Sequence, residues 1–252
     1  MLKQPETDQK ALGTVVTTSK EKAIRSILKV AEKAGFKPRP GKLALIKPNV
    51  CGMYPPSYEL LESLVKCLKP FFTTIMIGET PSSMHSPEEC FARLGIDHLA
   101  ESHGTIVRNL MRDKSENMQI PHPHAMKTIP FPSTVFEADL LVNCPGLGTH
   151  GNTLLTCALK NLFGLVAENR KYSTLHPKGV NEVIADICQV VKPQLNVVDC
   201  GSQVLLGMDI LSIDLAASEM KGLDPKRVKH LVLVSQDRGL EIEELEVKPF
   251  RA

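Results

Sequence analysis

Four short apolar runs in this 252-residue chain lead at once into residues able to do chemistry. Leu43–Ile46 runs into Lys47-Pro48-Asn49-Val50-Cys51, and Thr74–Ile77 into Gly78-Glu79-Thr80. Leu140–Val142 runs into Asn143-Cys144 and then Pro145-Gly146-Leu147-Gly148-Thr149-His150, and Leu195–Val198 into Asp199-Cys200-Gly201. Lysine ammonium groups and helix starts hold carboxylate or phosphate. Histidine moves protons near neutral pH, and a carboxylate can orient it. The expected site therefore binds a small anionic metabolite. Lys47, Asn49, Glu79, Thr80, Gly151, Thr153, Asn161 and His176 are its binding candidates. His150 would move a proton, Asp199 or Glu79 would orient it, and Lys160 would stabilise developing negative charge.

Lys160 stands out through its neighbours. Read as a helix from Asn152 to Val166, the segment carries Leu154, Leu155, Ala158, Leu159, Leu162, Phe163 and Val166 on one arc. Thr153, Thr156, Cys157, Lys160 and Gly164 fall on the other. Lys160 is the only charge in that stretch. A solvated stripe normally carries more, so this one is expected to be covered by a ligand, a lid or a partner. The turn before it, Gly146 to Gly151, matches G-x-G-x-x-G and resembles a dinucleotide fingerprint. It does not open an N-terminal βαβ unit, so the looser reading is a helix start that accepts an anion. No particular cofactor is implied.

The cysteines offer a second chemistry. Cys51, Cys144 and Cys200 each follow an expected strand, and three thiolates at one edge could hold a soft metal or an iron–sulfur cluster. The plainer use of a free cysteine is a small buried side chain. Among the histidines, His122 and His124 have the spacing of a metal pair within a Pro-rich surface loop. His85, His98, His103 and His230 read as surface residues.

Elements of alternating type must position these groups. Strands are expected at Leu12–Thr17, Leu43–Lys47, Thr73–Ile77, Leu140–Val142, Leu195–Val198 and Leu231–Val234. Helices are expected at Lys20–Ala34, Tyr58–Leu68, Pro87–Leu94, Asn152–Val166, Val180–Val191 and Ile213–Met220. Continuous apolar strands with helical crossovers give an α/β fold, a three-layer sandwich whose mainly parallel sheet is covered by helices on both faces. His122–Ser133 and Glu168–Gly179 read as loops, the second as a surface or lid segment. Gly239–Phe250 alternates weakly, as an edge strand would. The expected organisation is one domain over residues 1–252, with any subdivision near 121–133. In open sheets of this kind ligands bind at the carboxyl ends of the strands.

Composition narrows the function classes. Thirty basic and 28 acidic residues leave a net charge of +2, without the basic stripe of a nucleic-acid binder. No Trp, three Tyr and eight Phe are too few for base-stacking platforms. No apolar stretch of about 18 residues is present to span a membrane. Met1–Lys10 is polar and does not read as a secretory signal. Seven cysteines, an odd number with no C-x-x-C pair, fit a reducing cytoplasm. The chain is compatible with an oligomer.

Taken in order, Lys47-Pro48-Asn49, Gly78-Glu79-Thr80, Cys144-Pro145 through His150, Ala158-Leu159-Lys160-Asn161-Leu162-Phe163-Gly164, His176 and Val198-Asp199 form a series. It resembles the bacterial and archaeal family called domain of unknown function 362, over roughly Leu12 to Leu231. The Thr-His turn followed by Leu-Lys-Asn-Leu-Phe-Gly is its most specific piece. The resemblance implies a site map rather than a reaction, since the family has no generally assigned one. Some members carry a ferredoxin-like module, which implies redox chemistry nearby; these 252 residues hold none. The family's turn has lysines where Gly146 and Gly148 stand, so two positive charges are missing. Its loop after the strand ending near Asp199 is shortened here. A cluster-bearing redox protein and a non-catalytic binding domain are the alternatives to an enzyme.

Overall fold

The computed structural model describes residues 12–247 and 249–252. The Met1–Lys10 reading lies outside them. In chain order the elements are β1 (Val15–Ser19), α1 (Lys20–Lys33), β2 (Gly41–Pro48), α2 (Tyr58–Leu68), β3 (Phe72–Glu79), α3 (Pro87–Arg93), α4 (Ile96–His103), β4 (Ile106–Asn109), β5 (Ser115–Gln119), β6 (Thr128–Pro132) and α5 (Thr134–Glu137). They continue with β7 (Leu140–Cys144), β8 (Gly148–His150), β9 (Leu154–Thr156), α6 (Ala158–Asn161), α7 (Lys171–Leu175), α8 (Val180–Val190), β10 (Leu195–Asp199), β11 (Gln203–Gly207), α9 (Ile210–Met220), α10 (Lys229–Asp237) and β12 (Phe250–Arg251).

Eight strands form one sheet in the order β12-β1-β11-β10-β7-β2-β3-β4. β11 runs antiparallel to β10 and β1, and every other neighbouring pair is parallel. The fold is the α/β sandwich expected. Side chains alternate across the sheet, as strand geometry requires. Ala44, Ile46, Leu140, Val142 and Val197 face a core shared with α1, α2, α3 and α4. Leu45, Leu141 and Val198 face a second core built with α5, α6, α8, α9 and α10. Local signals set the helix starts. Ser19 caps α1 by accepting from the Lys22 amide at 3.3 Å. Ser86 and Glu89 form a reciprocal capping box on α3, with Pro87 in its first turn.

Several expected elements take another form. Leu154–Thr156 is a strand, paired with β8 in the register Gly148↔Thr156, Thr149↔Leu155 and His150↔Leu154. Leu154 has φ +59, which no helix accommodates. The helix therefore starts at Ala158, and Gly151 lies at a hairpin tip. Leu231–Val234 is part of α10, where Leu231, Val234 and Ser235 bury one helical face. Four apolar residues fit either period, and length alone misled. His122–Ser133 contains β6, which pairs only with β5, so Pro130 and Pro132 cost the main sheet nothing. Glu168–Gly179 contains α7 and a 3-10 turn at His176–Lys178. Gly239–Phe250 is mostly irregular, and only Phe250–Arg251 adds a parallel edge strand to β1. Among the described residues no helix is long and apolar enough to cross a membrane.

Candidate functional site

Register builds the floor of the site. Lys47 on β2 pairs with Asn143 on β7, and Asn143 pairs with Asn196 on β10. All three fall on the face that receives α6, so a row of polar side chains crosses three parallel strands. Such a row is costly to bury unless every group is bonded. Asn161, the last residue of α6, docks onto it. Its amide nitrogen donates to Asn143 Oδ1 at 2.7 Å and to the Lys47 carbonyl at 3.1 Å. Its Oδ1 accepts from Lys47 Nζ at 2.7 Å. Asn143 in turn donates to Asn196 Oδ1 and to the Ala158 carbonyl, both at 3.0 Å.

At the carboxyl end of the row sits a buried ion pair. Lys47, 1% exposed, lies 2.8 Å and 2.9 Å from the two carboxylate oxygens of Glu79, which is 2% exposed. Glu79 also accepts from the amides of Val50 and Thr80, and Lys47 donates to the Pro48 carbonyl. Both charges are thus matched by an opposite charge and by hydrogen bonds, the condition under which a buried pair survives.

A second buried lysine is bonded differently. Lys171 opens α7 and reaches Thr80 Oγ1, the Pro81 carbonyl at 3.3 Å and the Gly164 carbonyl at 3.2 Å. All three are neutral oxygens, and among the described residues Lys171 forms no ion pair. Burial, offset only in part by Glu79, pulls its ammonium down to about 7.

These groups line a cleft of about 170 Å³ at the strand ends, together with Asn49, Cys51, Lys160, Tyr172 and His176. Lys160 makes no hydrogen bond or ion pair among the described residues. Burial, reinforced by Lys47, lowers its affinity for a proton. His176 packs on the Tyr172 ring at 4.4 Å and edge-on to Phe163 at 6.2 Å. His150 lies on β8 just outside the cleft lining, and its Nδ1 accepts from the Asn152 amide at 3.3 Å. Burial and the Lys160 charge hold both imidazoles below their usual range, and His176 adds to the effect on His150. Positive and protonatable groups therefore converge on Lys160, which pairs with no carboxylate among the described residues; Glu79, in the same lining, is taken by Lys47.

Of the expected site residues, the cleft gathers Lys47, Asn49, Glu79, Thr80, Lys160, Asn161 and His176. Asp199 is placed elsewhere. It pairs with Lys20 at 2.7 Å and accepts from the amides of Ser57 and Gly201. Gly151 is exposed on the hairpin, and Thr153 is buried and donates to the Leu155 carbonyl at 3.0 Å. The real helix start, at Ala158 and Leu159, is already capped by a carboxyl group, which burial raises to about 7. Fully buried Asp214 on α9 accepts from both amides at 2.8 Å and 3.0 Å. The glycines of the 146–151 turn have a packing reason. A Cβ on Gly146 would lie 2.7 Å from the Tyr54 carbonyl, and one on Gly148 would enter the Tyr54 ring. Tyr54 thus leaves no room for a side chain at either glycine.

The thiols do not converge. Cys51 and Cys144 belong to the core under α1 and α2, whereas Cys200 packs against the other core. Burial raises all three, Cys200 to about 12, which disfavours the thiolate a metal needs. Among the described residues no group of three or more His, Cys, Asp or Glu side chains is placed to hold a metal ion. His124 instead pairs with Asp237 at 2.8 Å. His230, expected at the surface, is fully buried, and its Nδ1 meets Asn181 Oδ1 at 2.9 Å. Sequence reading missed Lys171 and Asn196, and noted Asn143 at its strand end without giving it a role. The only signal for Lys171 was its position four residues before buried Leu175, on the same helix face.

The solved structure of the lactate racemase apoprotein from Thermoanaerobacterium thermosaccharolyticum is similar at a TM-score of 0.44 and 15% identity. The match covers 86% of this chain and 58% of that one, so the chain spans little more than half of that structure's length. No curated protein matches the chain. The family model described as a domain of unknown function, DUF362, matches residues 44–237. Those residues hold Lys47, Glu79, Asn143, Lys160, Asn161, Lys171 and His176, which form the polar lining of the cleft and its floor, and the chain belongs to that family.

Proposed function

We propose that the protein is an enzyme acting on a small anionic metabolite, held by Lys160 in the cleft at the carboxyl ends of the parallel strands. One observation carries this reading: a half-buried ammonium, flanked by His150, His176 and Lys47, forms no ion pair among the described residues. An uncompensated buried cation is costly, and a bound carboxylate or phosphate removes that cost. The cleft volume of about 170 Å³ suits a small organic acid rather than a nucleotide. His176 lines the cleft and titrates below its usual range, so at neutral pH it is mostly a base able to take a proton from the ligand. Lys160 then faces the charge that develops. Lys47 and Glu79 act as a rigid floor and do not touch the ligand as proton carriers, because each is already fully bonded.

A thermal-shift series with inorganic phosphate and with mono- and dicarboxylates tests this. A ligand at about 100 times its Kd adds about 2.7 kcal/mol of stability. Wild type is expected to gain melting temperature with at least one of these anions, and Lys160→Ala to lose the gain. Equal gains in both proteins, or none in either, would refute the assignment.

A further inference from the structure

We propose that the Lys171 amine is a nucleophile that condenses with the keto group of a small 2-oxo acid bound in the cleft, giving an imine at Nζ. The inference rests on the anion-binding reading above, which supplies the grip on the acid's carboxylate through Lys160.

The cleft contains two deeply buried lysines in opposite situations. Lys47 is held in an ion pair by Glu79 and bonded to Asn161 Oδ1 and the Pro48 carbonyl. Lys171 meets only the Thr80 hydroxyl and two carbonyls. The charged groups whose fields reach it are Glu79 and Glu168, which favour its charge, and Lys47, which opposes it; the thiol of Cys51 lies within the same range. Burial outweighs them, so close to neutral pH a large share of the amine is uncharged and keeps its lone pair. A structural lysine in such a position would normally face a carboxylate. Lys171 also lines the same cleft as Lys160, so one small molecule can meet both amines.

The chemistry balances without any further reactant. The amine lone pair forms the C–N bond while the C=O π electrons move onto oxygen. The Thr80 hydroxyl, which accepts from Nζ and donates to the Gly164 carbonyl, relays a proton by turning from that carbonyl to the substrate oxygen, giving up its own proton as it takes one from nitrogen. The second amine proton and the oxygen leave as water, and the C=N bond remains. Hydrolysis restores the amine.

Reductive trapping tests it. The protein is incubated with sodium cyanoborohydride and either pyruvate or its neutral counterpart acetone, then digested and mapped by mass spectrometry. The expected result is a reduced pyruvate adduct on Lys171 in wild type, diminished by Lys160→Ala and absent from Lys171→Met. An acetone adduct on Lys171 without a pyruvate adduct would overturn the 2-oxo acid and the anion grip together, leaving only a reactive amine. No adduct on Lys171 with either probe, while phosphate or a carboxylate still stabilises wild type, would overturn the imine and leave the anion site standing. Adducts spread over exposed lysines without preference for Lys171 would overturn it as well. The wild-type peptide map decides between these outcomes even if Lys171→Met fails to fold.

Discussion

Lys47 and Lys171 are both buried lysines of one cleft, and their partners decide what each can do. Lys47 is held by a carboxylate and two further acceptors, whereas Lys171 meets only neutral oxygens. The difference shows in stability against pH. Folding pulls the Lys171 ammonium from its ordinary 10.5 to about 7, so the folded chain binds fewer protons than the unfolded chain in between. The cost of burying that charge is fully present below about pH 7 and is relieved as pH rises toward 10. Every tenfold loss of proton affinity on folding corresponds to about 1.4 kcal/mol. Urea unfolding of wild type and Lys171→Met from pH 6.5 to 9.5 is therefore expected to show wild type gaining relative to the variant as pH rises. A difference independent of pH would contradict it. Lys160 acts on its neighbours through its field. Lys160→Ala removes a like charge beside His150 and His176, so NMR titration is expected to find both imidazoles protonating at higher pH than in wild type. At this scale Lys47, Glu79, Lys160 and Asn161 were legible because each follows an apolar run or stands in a stretch almost free of charge. Lys171 was not, because its spacing from Leu175 is too weak a pattern in a polar segment to mark one lysine as buried.

At the level of elements, the site depends on strand register more than on any helix terminus. Lys47, Asn143 and Asn196 are neighbours only because β2, β7 and β10 pair as they do, and α6 is held down by Asn161 above and Asp214 behind. Asn143→Leu breaks the row in the middle, leaving one Asn161 N–H and the Asn196 Oδ1 without the partner Asn143 supplies. At about 1–3 kcal/mol for each buried group left unsatisfied, the expected loss in urea unfolding is about 2–6 kcal/mol. A loss below about 0.5 kcal/mol, the size of an ordinary surface substitution, would show that the row is not structural. Gly164, in the 3-10 turn that follows α6, packs closely on the ion pair. A Cβ there would lie 2.6 Å from Lys47 Nζ and 3.2 Å from Glu79 Oε1. Gly164→Ala is expected to destabilise by about 1–3 kcal/mol, the usual cost of overpacking, and to weaken anion binding in the same cleft. The strands β2, β3, β7 and β10 could be read from continuous apolar runs, and α2 from its Leu60, Leu61, Leu64, Val65 and Leu68 spacing. The β8–β9 hairpin could not, because Leu154 and Leu155 fit a helical period as well as a strand, and only the positive φ at Leu154 separates the two.

For the whole molecule, the sheet divides two cores and places every cleft residue at its carboxyl edge, where irregular segments of α/β proteins carry their binding groups. The segment near 121–133 is tied to the main body by Asp186 on α8, which accepts from the amides of His124, Ala125 and Met126. Ile129 and Phe131 are buried in the same core as α8 and α10. Urea unfolding followed by two probes is expected to give one coincident transition, and a separate early transition in this segment would argue for a second domain. The architecture was legible because alternating strands and helices admit few arrangements. The contents of the cleft were legible only in part, since side chains from α6 and α7 reach it through tertiary packing that no local pattern encodes. The most direct measurement is a calorimetric titration of wild type and Lys160→Ala with phosphate and small carboxylates at neutral pH. One-site binding by wild type, weakened about tenfold or more in the variant (about 1.4 kcal/mol), is the expected result. Binding of equal strength in the two proteins, or no heat with any of these anions, would contradict the site.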